Sequence, residues 1–231
     1  MITIGDELLA GDTVNTNAAW LGRELSERGV TVGRIIVVPD RVSDIAKVVN
    51  EMRAEFDAVI VTGGLGPTHD DVTIEGVAAG LGIQVVEHAD AVDWIDEHSS
   101  YTYSELVDGT ADLPSGSRMI PNTEGVAPGA VIEGDDDVPV YVLPGVPKEM
   151  KAMFARVADE FAGAPRYRRF VPVAEPESAL IDRVQALREE FGVTVGSYPG
   201  EEVVRIRIEG GDEGVVQRAE EWLRERVDVG E

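Results

Sequence analysis

Cysteine is absent from the 231 residues of this chain. Without thiols, the protein can form no disulfide, no thiolate metal site and no cysteine nucleophile. Long apolar runs are missing too, because no stretch approaches the roughly 20 residues that a membrane-spanning helix needs. The residues before Gly5 do not have the pattern of a signal peptide, so we expect none. These absences predict a cytoplasmic protein that has no contact with a membrane.

Lysine is scarce and positive charge is in short supply. The chain holds three lysines, Lys47, Lys148 and Lys151, and its 44 acidic residues exceed its 20 basic ones, for a net charge of −24. Because halophilic proteins use self-repulsion of this kind, we expect adaptation to a salt-rich cytoplasm. Nucleic-acid binding requires clustered lysine and arginine. The charge therefore argues against a nucleic-acid partner.

The remaining composition is that of a globular protein, with 43% hydrophobic residues. The length suffices for one substantial core and a small second domain. Strand and helix patterns alternate up to Gly163-Ala164-Pro165, which is typical of an α/β fold. We expect an α/β domain over residues 1–163 and a second domain over residues 164–231. The second has the order β-α-β-β-α, as in a split βαβ sandwich without its last strand.

A glycine-rich segment lies at the centre of the first domain: Thr62-Gly63-Gly64-Leu65-Gly66-Pro67-Thr68-His69-Asp70-Asp71-Val72-Thr73. The apolar run 58–61 before it is typical of a buried strand, and helical spacing resumes at Ile74. Ligands of α/β sheets bind at such crossovers. Glycines can adopt backbone angles closed to other residues and let N–H groups approach an anion. No Gly-Lys-Ser or Gly-Lys-Thr follows, which excludes an ordinary P-loop.

Two carboxylates, Asp70 and Asp71, follow the glycines. Beside a phosphate they would repel it unless a divalent cation lay between, and oxygen ligands suit Mg²⁺ or Mn²⁺. Asp40 follows the strand predicted at 30–38. If that strand neighbours the strand before the glycines, Asp40 and Asp71 face one crevice. The pattern is also typical of a tight turn in which Asp71 or Thr73 caps the next helix.

A second loop interrupts a buried strand at Leu143-Pro144-Gly145-Val146-Pro147-Lys148-Glu149-Met150. Pro147 is typical of the first turn of a helix, so rigid turn chemistry explains the prolines. It leaves Lys148 unexplained. In a chain with three lysines, a lysine at a strand end is a candidate partner for a phosphate.

Two other stretches carry no predicted chemistry. Residues 88–113 have a polar, helical pattern and are expected to form two helices packed on the main domain. Residues 130–132 and 138–143 are expected to pair as strands, joined by an acidic turn at 133–137. The three histidines do not have the spacing of a metal site.

Four motifs occur in one order along the chain: Gly5-Asp6-Glu7-Leu8-Leu9-Ala10-Gly11, Asn15-Thr16-Asn17, the glycine-rich segment 62–73 and the loop 143–150. With them the chain resembles the N-terminal region of competence/damage-inducible protein A (CinA), and more widely the molybdopterin-binding superfamily of molybdenum-cofactor biosynthesis. The resemblance implies a three-layer αβα domain with a mostly parallel sheet, followed by a small α+β domain. It also implies a homo-oligomer.

The resemblance further implies a site and a choice of activities. In the superfamily's molybdopterin adenylyltransferases, the site is formed by a glycine loop and an aspartate shortly before a threonine, which Asp71 matches. Asp40 matches a second family aspartate by position. CinA-type proteins hydrolyse nucleotide pyrophosphates such as ADP-ribose, and a related domain hydrolyses FAD. The Pro-Gly-Val-Pro-Lys-Glu form of the second loop is the CinA form.

Our first hypothesis is a metal-dependent pyrophosphohydrolase acting on ADP-ribose-like nucleotides, with Mg²⁺, Mn²⁺ or Co²⁺ as the metal. Asp40, Asp70 and Asp71 would hold the metal. Lys148 would neutralise charge on the leaving phosphate. The catalytic residues would thus be Asp40, Asp71 and Lys148. The phosphate-binding residues would be Thr62, Gly63, Gly64, Gly66, Pro67, Thr68 and Gly145. Further site residues would be Gly5, Asp6, Glu7, Asn15, Asn17, Pro144 and Glu149.

Two alternatives use the same site. The first is binding or adenylylation of molybdopterin, a pterin that carries a phosphate. The second is a non-enzymatic sensor that binds a nucleotide without turnover. In each case the expected partner is a small phosphorylated ligand.

Overall fold

The computed structural model describes residues 1–133 and 138–230. The acidic turn predicted at 133–137 lies, except for its first residue, outside the described residues. No helix in the described part of the chain has both the length and the apolar character needed to cross a bilayer. The strands and helices are, in chain order, β1 (Ile2–Ile4), α1 (Asp6–Ala10), α2 (Thr16–Glu27), β2 (Ile36–Val38), α3 (Val42–Arg53), β3 (Val59–Gly63), α4 (Thr73–Leu81), β4 (Val85–Glu87), α5 (Ala89–His98), β5 (Asp112–Pro114), β6 (Arg118–Ile120), β7 (Gly129–Glu133), β8 (Pro139–Pro144), α6 (Pro147–Val157), β9 (Tyr167–Val173), α7 (Ile181–Phe191), β10 (Thr194–Pro199), β11 (Val204–Gly210) and α8 (Glu213–Arg224).

The chain divides into two compact units. The first comprises Met1–Arg23 and Val32–Phe161, and the second comprises Glu24–Thr31 together with the residues from Ala162 onward. Within the second unit, Gly163 donates its N–H to the Arg28 carbonyl oxygen at 2.9 Å. Sequence patterns gave no sign that the segment 24–31 groups with the C-terminal residues.

The first unit is built on a six-stranded sheet with the order β2-β1-β3-β8-β7-β6. The strands β2, β1, β3 and β8 are parallel, whereas β7 runs antiparallel to both of its neighbours, β8 and β6. The predicted α/β fold with a mostly parallel sheet is confirmed, and so is the pairing of residues 130–132 with residues 138–143. The condition that β2 and β3 are direct neighbours is not met, because the N-terminal strand β1 lies between them and pairs with both.

Helices cover both faces of this sheet. One face buries Val142 in a single core with side chains of α3, α4 and α5. On the opposite face the Tyr141 ring lies 4.6 Å from that of Phe161, which stacks at 5.6 Å on Phe154 of α6. Trp20 of α2 contacts Phe154 edge-on. Because successive strand residues point to opposite faces, β8 serves both layers and the unit has the predicted αβα arrangement.

Two glycines of α4 allow it to approach α3 closely. A Cβ at Gly76 would lie 2.6 Å from Ile45 Cβ, and a Cβ at Gly80 would lie 2.8 Å from the Ala46 carbonyl oxygen. Residues four apart share one face of a helix, so both glycines lie in the same contact. This contact explains their presence inside a helix, where glycine costs about 1 kcal/mol relative to alanine.

Two predicted elements are shorter in the structure. The strand predicted at 30–38 is confined to β2. The stretch 88–113 forms α5 and then a single 3₁₀ turn at Tyr103–Glu105, instead of a second helix. Thr102 and Glu105 cap that turn reciprocally, and Leu106 already has extended backbone angles. The last two residues of the stretch enter β5, which pairs antiparallel with β4.

The second unit contains a three-stranded antiparallel sheet with the order β10-β11-β9. Alternate strand residues such as Val171 and Ile206 are buried in one core with Leu187 of α7 and Leu223 of α8. The predicted C-terminal α+β region, with its order β-α-β-β-α, is confirmed.

The glycine contact between α3 and α4 is testable with a matched pair of variants. We expect Gly76→Ala to lower the free energy of unfolding by about 1–3 kcal/mol through overpacking. Gly22→Ala in α2, where an added Cβ meets nothing within 4 Å, should raise it by up to about 1 kcal/mol. Denaturant unfolding in concentrated potassium salt measures both values. Equal effects of the two variants would contradict the close contact.

Candidate functional site

The loops that follow four parallel strands meet at one edge of the sheet. β1 is followed by Gly5, β2 by the loop with Asp40 and β3 by Gly64, while β8 ends at Pro144. Carboxyl ends of parallel strands lie on the same edge, which is where ligands of such sheets bind. These loops surround a pocket of about 630 Å³, termed the main pocket. This volume is in the range of small-molecule sites.

The glycine-rich loop folds around the carboxylate of Asp71. Its Oδ2 accepts hydrogen bonds from the Thr68 N–H at 3.2 Å and from the Thr68 hydroxyl. A Cβ at Gly64 would overlap Asp71 Oδ1, and a Cβ at Gly66 would lie 2.7 Å from Asp71 Oδ2. The absence of side chains at positions 64 and 66 therefore provides the space that this carboxylate occupies.

The reason for glycine in this loop differs from the predicted one. Gly63, Gly64 and Gly66 are not among the described glycines that have a positive φ, so the loop uses no backbone angle closed to other residues. A Cβ at Gly63 would overlap Thr73 Oγ1 and lie 2.9 Å from Ile4 Cβ. Close packing is thus the reason for all three glycines. The binding of a phosphate by their N–H groups stays a prediction.

Asp40 enters the main pocket from the end of β2. Its Oδ2 accepts a hydrogen bond from the Asp6 N–H at 2.8 Å, which favours the ionised form. Burial outweighs this bond and, together with the charges of Asp6, Glu7 and Asp70, raises the pKa of Asp40. Because neighbouring negative charges destabilise the ionised carboxylate, a bound cation would relieve an existing repulsion.

The lining of the main pocket is strongly acidic. Five carboxylates line it, those of Glu7, Asp40, Asp70, Asp71 and Glu149. Among the described residues of this lining there is no lysine or arginine. A phosphate in the pocket would therefore meet negative charge without a basic side chain to balance it.

Lys148, the predicted phosphate partner, is paired elsewhere. It forms an ion pair with Glu124, and its side chain is 77% exposed. The hydrogen bond to Glu124 and the charge of that residue raise the pKa of Lys148. A ligand that contacts Lys148 would therefore share or replace the contact with Glu124.

Two amide side chains fix the loop after β8. Asn17 Nδ2 donates to the Gly145 carbonyl oxygen at 2.7 Å. Asn122 Nδ2 donates to Glu149 Oε2 at 2.7 Å and to the Ala127 carbonyl oxygen at 3.0 Å. Asn122 is buried and so holds the Glu149 carboxylate at the pocket. The sequence patterns singled out Asn17 and Glu149 but not Asn122.

Most of the predicted site residues are brought together. The main pocket is lined by Gly5, Glu7, Asp40, Gly64, Gly66, Pro67, Asp70, Asp71, Pro144, Gly145 and Glu149. A smaller cavity is lined by Asn15, Asn17 and Thr62, together with Glu7 and Gly145. Thr68 borders a third cavity beside Asp71. Gly63, Asp6 and Lys148 are not among the residues that line the main pocket.

An apolar wall of the main pocket was not predicted. Its residues are Leu65, Leu106, Val107, Val126, Ala127 and Val146, with Thr110 beside them. The stretch 88–113, to which the sequence patterns assigned no chemistry, contributes to this wall, because the chain after the 3₁₀ turn reaches the pocket. The only available signal was the pair of apolar residues at 106–107 in a polar stretch, and that pair equally suits core packing.

A divalent metal fits this site only in part. No group of three or more His, Cys, Asp or Glu residues in the described part of the chain stands close enough to hold a metal by itself. Mg²⁺, however, is commonly held by one or two carboxylates and the phosphates of a ligand, with water completing its shell. The donors Asp40 and Asp71 suit that kind of site.

The fold and the pocket define an α/β domain with a ligand site at the carboxyl ends of a mostly parallel sheet. Residues 1–163 match the family model described as the probable molybdopterin binding domain. The chain belongs to this family of molybdenum-cofactor biosynthesis domains.

The chain is also similar to other proteins and to a solved structure. A protein from Archaeoglobus fulgidus is 35% identical over 97% of this chain and 96% of its own length. One from Aeropyrum pernix is 41% identical over 90% of this chain and 83% of its own length. The crystal structure of the protein CinA, with unknown function, from Thermoplasma acidophilum has a TM-score of 0.64 and 38% identity, and the match covers 70% of this chain and 96% of that one.

The packing of Asp71 into the glycine loop is testable by a double-mutant cycle. Gly64→Ala should lower the free energy of unfolding by about 1–3 kcal/mol, because its methyl group overlaps the carboxylate. In an Asp71→Ala background the same substitution should cost much less, since the overlapping group is gone. Thermal and denaturant unfolding measure the coupling. Equal costs in both backgrounds would show that Asp71 does not occupy this space.

Proposed function

We propose that the main pocket binds a nucleotide pyrophosphate, such as ADP-ribose, together with a divalent cation and hydrolyses its pyrophosphate bond. The observation that carries this proposal is the lining of five carboxylates without a lysine or arginine among its described residues. A phosphorylated ligand can occupy such a pocket only if a cation balances the repulsion.

Different residues of the pocket would bind the metal and the phosphate. Asp40 and Asp71 would hold Mg²⁺, Mn²⁺ or Co²⁺ next to the bound ligand, and Asp70 would be a third metal ligand. The bound metal would polarise the phosphoryl group and lower the pKa of a coordinated water. The N–H groups of the glycine loop would face a phosphate oxygen. In the reaction, water oxygen forms the new bond to phosphorus, the bridging oxygen leaves with its electron pair, and a proton is released to solvent.

The apolar wall supports a nucleotide or another heterocyclic ligand. The side chains of Leu106, Val107 and Val126 lie in the same pocket as the carboxylates. A pocket with an apolar wall at one side and polar groups at the other suits a ligand that joins a flat ring to a phosphate. Both a nucleotide and a phosphorylated pterin have this form.

A second candidate function is therefore binding or adenylylation of molybdopterin. The description of the matching family favours this candidate, and the same acidic pocket and cation would serve it. The form of the second loop, Pro144-Gly145-Val146-Pro147-Lys148-Glu149, favours the pyrophosphohydrolase. Transfer of AMP from ATP to a pterin without cleavage of ADP-ribose would establish the second candidate.

Release of AMP tests the proposed hydrolysis directly. We expect AMP from ADP-ribose or FAD in concentrated potassium salt with Mg²⁺, Mn²⁺ or Co²⁺, and none after chelation. Asp71→Asn and Asp40→Asn should each lower turnover by at least roughly 100-fold, as expected for loss of a charge that orders the reacting groups. Asp93→Asn, the same change at an exposed position of α5, is the control. Folded protein that binds ADP-ribose without forming AMP would instead indicate a sensor.

Two variants distinguish a direct role of Lys148 in the reaction from a structural role of its ion pair with Glu124. If Lys148 acts on the leaving phosphate, Lys148→Gln should lower turnover about tenfold or more, whereas Glu124→Gln should leave it equal or raise it by freeing the lysine. If the pair only fixes the loop, both variants should behave alike. Steady-state rates of AMP release for the two variants decide between these roles.

A further inference from the structure

A smaller cavity adjoins the main pocket near the start of α2. It has a volume of about 100 Å³ and shares Ile4, Glu7 and Gly145 with the main pocket. It is termed the side chamber. Because the two cavities have these residues in common, a ligand seated in the main pocket can place one small group in the side chamber.

Two residues that line the side chamber, Thr62 and Asn17, each have a buried polar atom without a hydrogen-bond partner in the described part of the chain, Thr62 Oγ1 and Asn17 Oδ1. Thr62 is 2% exposed and Asn17 is 8% exposed. Buried polar groups in native proteins are almost always paired, and an unpaired one destabilises the fold. Both atoms therefore point to a partner from outside the chain.

The hydrogen bonds around the side chamber define what that partner must offer. Asn17 Nδ2 already donates to the Gly145 carbonyl oxygen at 2.7 Å, which leaves the amide oxygen as a free acceptor. The Thr3 hydroxyl is occupied by Asn15 Nδ2 at 3.2 Å. The chamber thus presents an acceptor at Asn17 and a hydroxyl at Thr62, which can donate and accept.

The charge of the side chamber favours a neutral partner over a phosphate, because Glu7, the one carboxylate of its described lining, offers less to hold a balancing cation than the five carboxylates of the main pocket. Among its described lining residues there is no lysine or arginine, and Glu7 adds a carboxylate at its junction with the main pocket. A neutral group that both donates and accepts is complementary to these walls, whereas an anion would be buried without a counter-charge. Hydroxyl groups have this property.

We propose that the side chamber binds the hydroxyl groups of a pentose carried by the ligand of the main pocket. The proposal rests on the proposed function in one respect, that this ligand is phosphorylated. Asn17 Oδ1 accepts from one sugar hydroxyl, and the Thr62 hydroxyl bonds to the same or the neighbouring one. Thr62, which the sequence predicted to bind phosphate, then recognises the sugar instead.

Thr62→Val provides the first test, because it replaces an unpaired hydroxyl by a methyl group of similar shape. Without ligand, the variant should have an unchanged or higher melting temperature. Thr73→Val is the matched control: Thr73 Oγ1 is also buried and unpaired among the described residues, but Thr73 is not part of the side chamber. A lower melting temperature for Thr62→Val alone would show that the hydroxyl has a partner in the free protein, and it would overturn the proposal.

The second test compares two sugar phosphates by NMR titration in concentrated potassium salt with Mg²⁺. The probes are ribose 5-phosphate and an analogue without the 2- and 3-hydroxyls. Wild type and Thr73→Val should bind ribose 5-phosphate about three- to tenfold more tightly, the range for one neutral hydrogen bond. Thr62→Val should lose this preference, and ribose should shift the Asn17 side-chain amide signals. Equal affinities in wild type, or the same preference in Thr62→Val, would overturn the proposal.

The outcomes separate this proposal from the proposed hydrolysis. Sugar discrimination that depends on Thr62, in protein that releases no AMP, would keep the side chamber and reject the hydrolysis. AMP release without discrimination would do the reverse. If neither sugar phosphate binds, free D-ribose at high concentration tests the chamber without a phosphate, and the absence of a shift at Asn17 overturns it.

Discussion

The packing of the Asp71 carboxylate into the glycine-rich loop is the constraint on which the site depends. Gly64 and Gly66 leave the space for this carboxylate, and Thr68 holds it with its N–H and its hydroxyl. The loop is thereby shaped around a negative charge at the carboxyl end of β3. An anionic ligand next to this charge needs a cation, and this requirement connects the form of the loop to the proposed chemistry.

Carboxylates at the neighbouring strand ends increase the need for a cation in the pocket. Asp40 reaches the pocket from β2, and burial with three nearby carboxylates raises its pKa. Asn122 holds Glu149 at the opposite side. These carboxylates repel each other in the free protein, so the proposed divalent ion would stabilise the arrangement and prepare it for a phosphate. The side chamber does not balance this negative charge, because its unpaired polar atoms belong to the neutral side chains of Asn17 and Thr62.

The position of the pocket at the strand ends could be predicted from the sequence, whereas the contacts within it could not. Loop residues that follow apolar runs, such as Asp40 and Gly64, carry a local signal for a strand end. Strand order is non-local, so the position of β1 between β2 and β3 left no trace in the patterns. The apolar wall at Leu106 and the ion pair of Lys148 with Glu124 also join residues that are distant in sequence, so local patterns could not predict them. Salt adaptation, the homo-oligomer and the domain boundary at residue 163 stay predictions.

The most direct test of the proposed site is whether the metal and the ligand strengthen each other's binding. Mn²⁺ affinity can be determined by electron paramagnetic resonance, with and without an ADP-ribose analogue that has a non-hydrolysable methylene bridge. We expect weak Mn²⁺ binding to the free protein and at least roughly tenfold tighter binding with the analogue, and linkage requires the analogue to bind more tightly with Mn²⁺ by the same factor. Asp71→Asn should abolish the coupling. Equal Mn²⁺ affinity in both states, or binding of the analogue that does not depend on the metal, would contradict it.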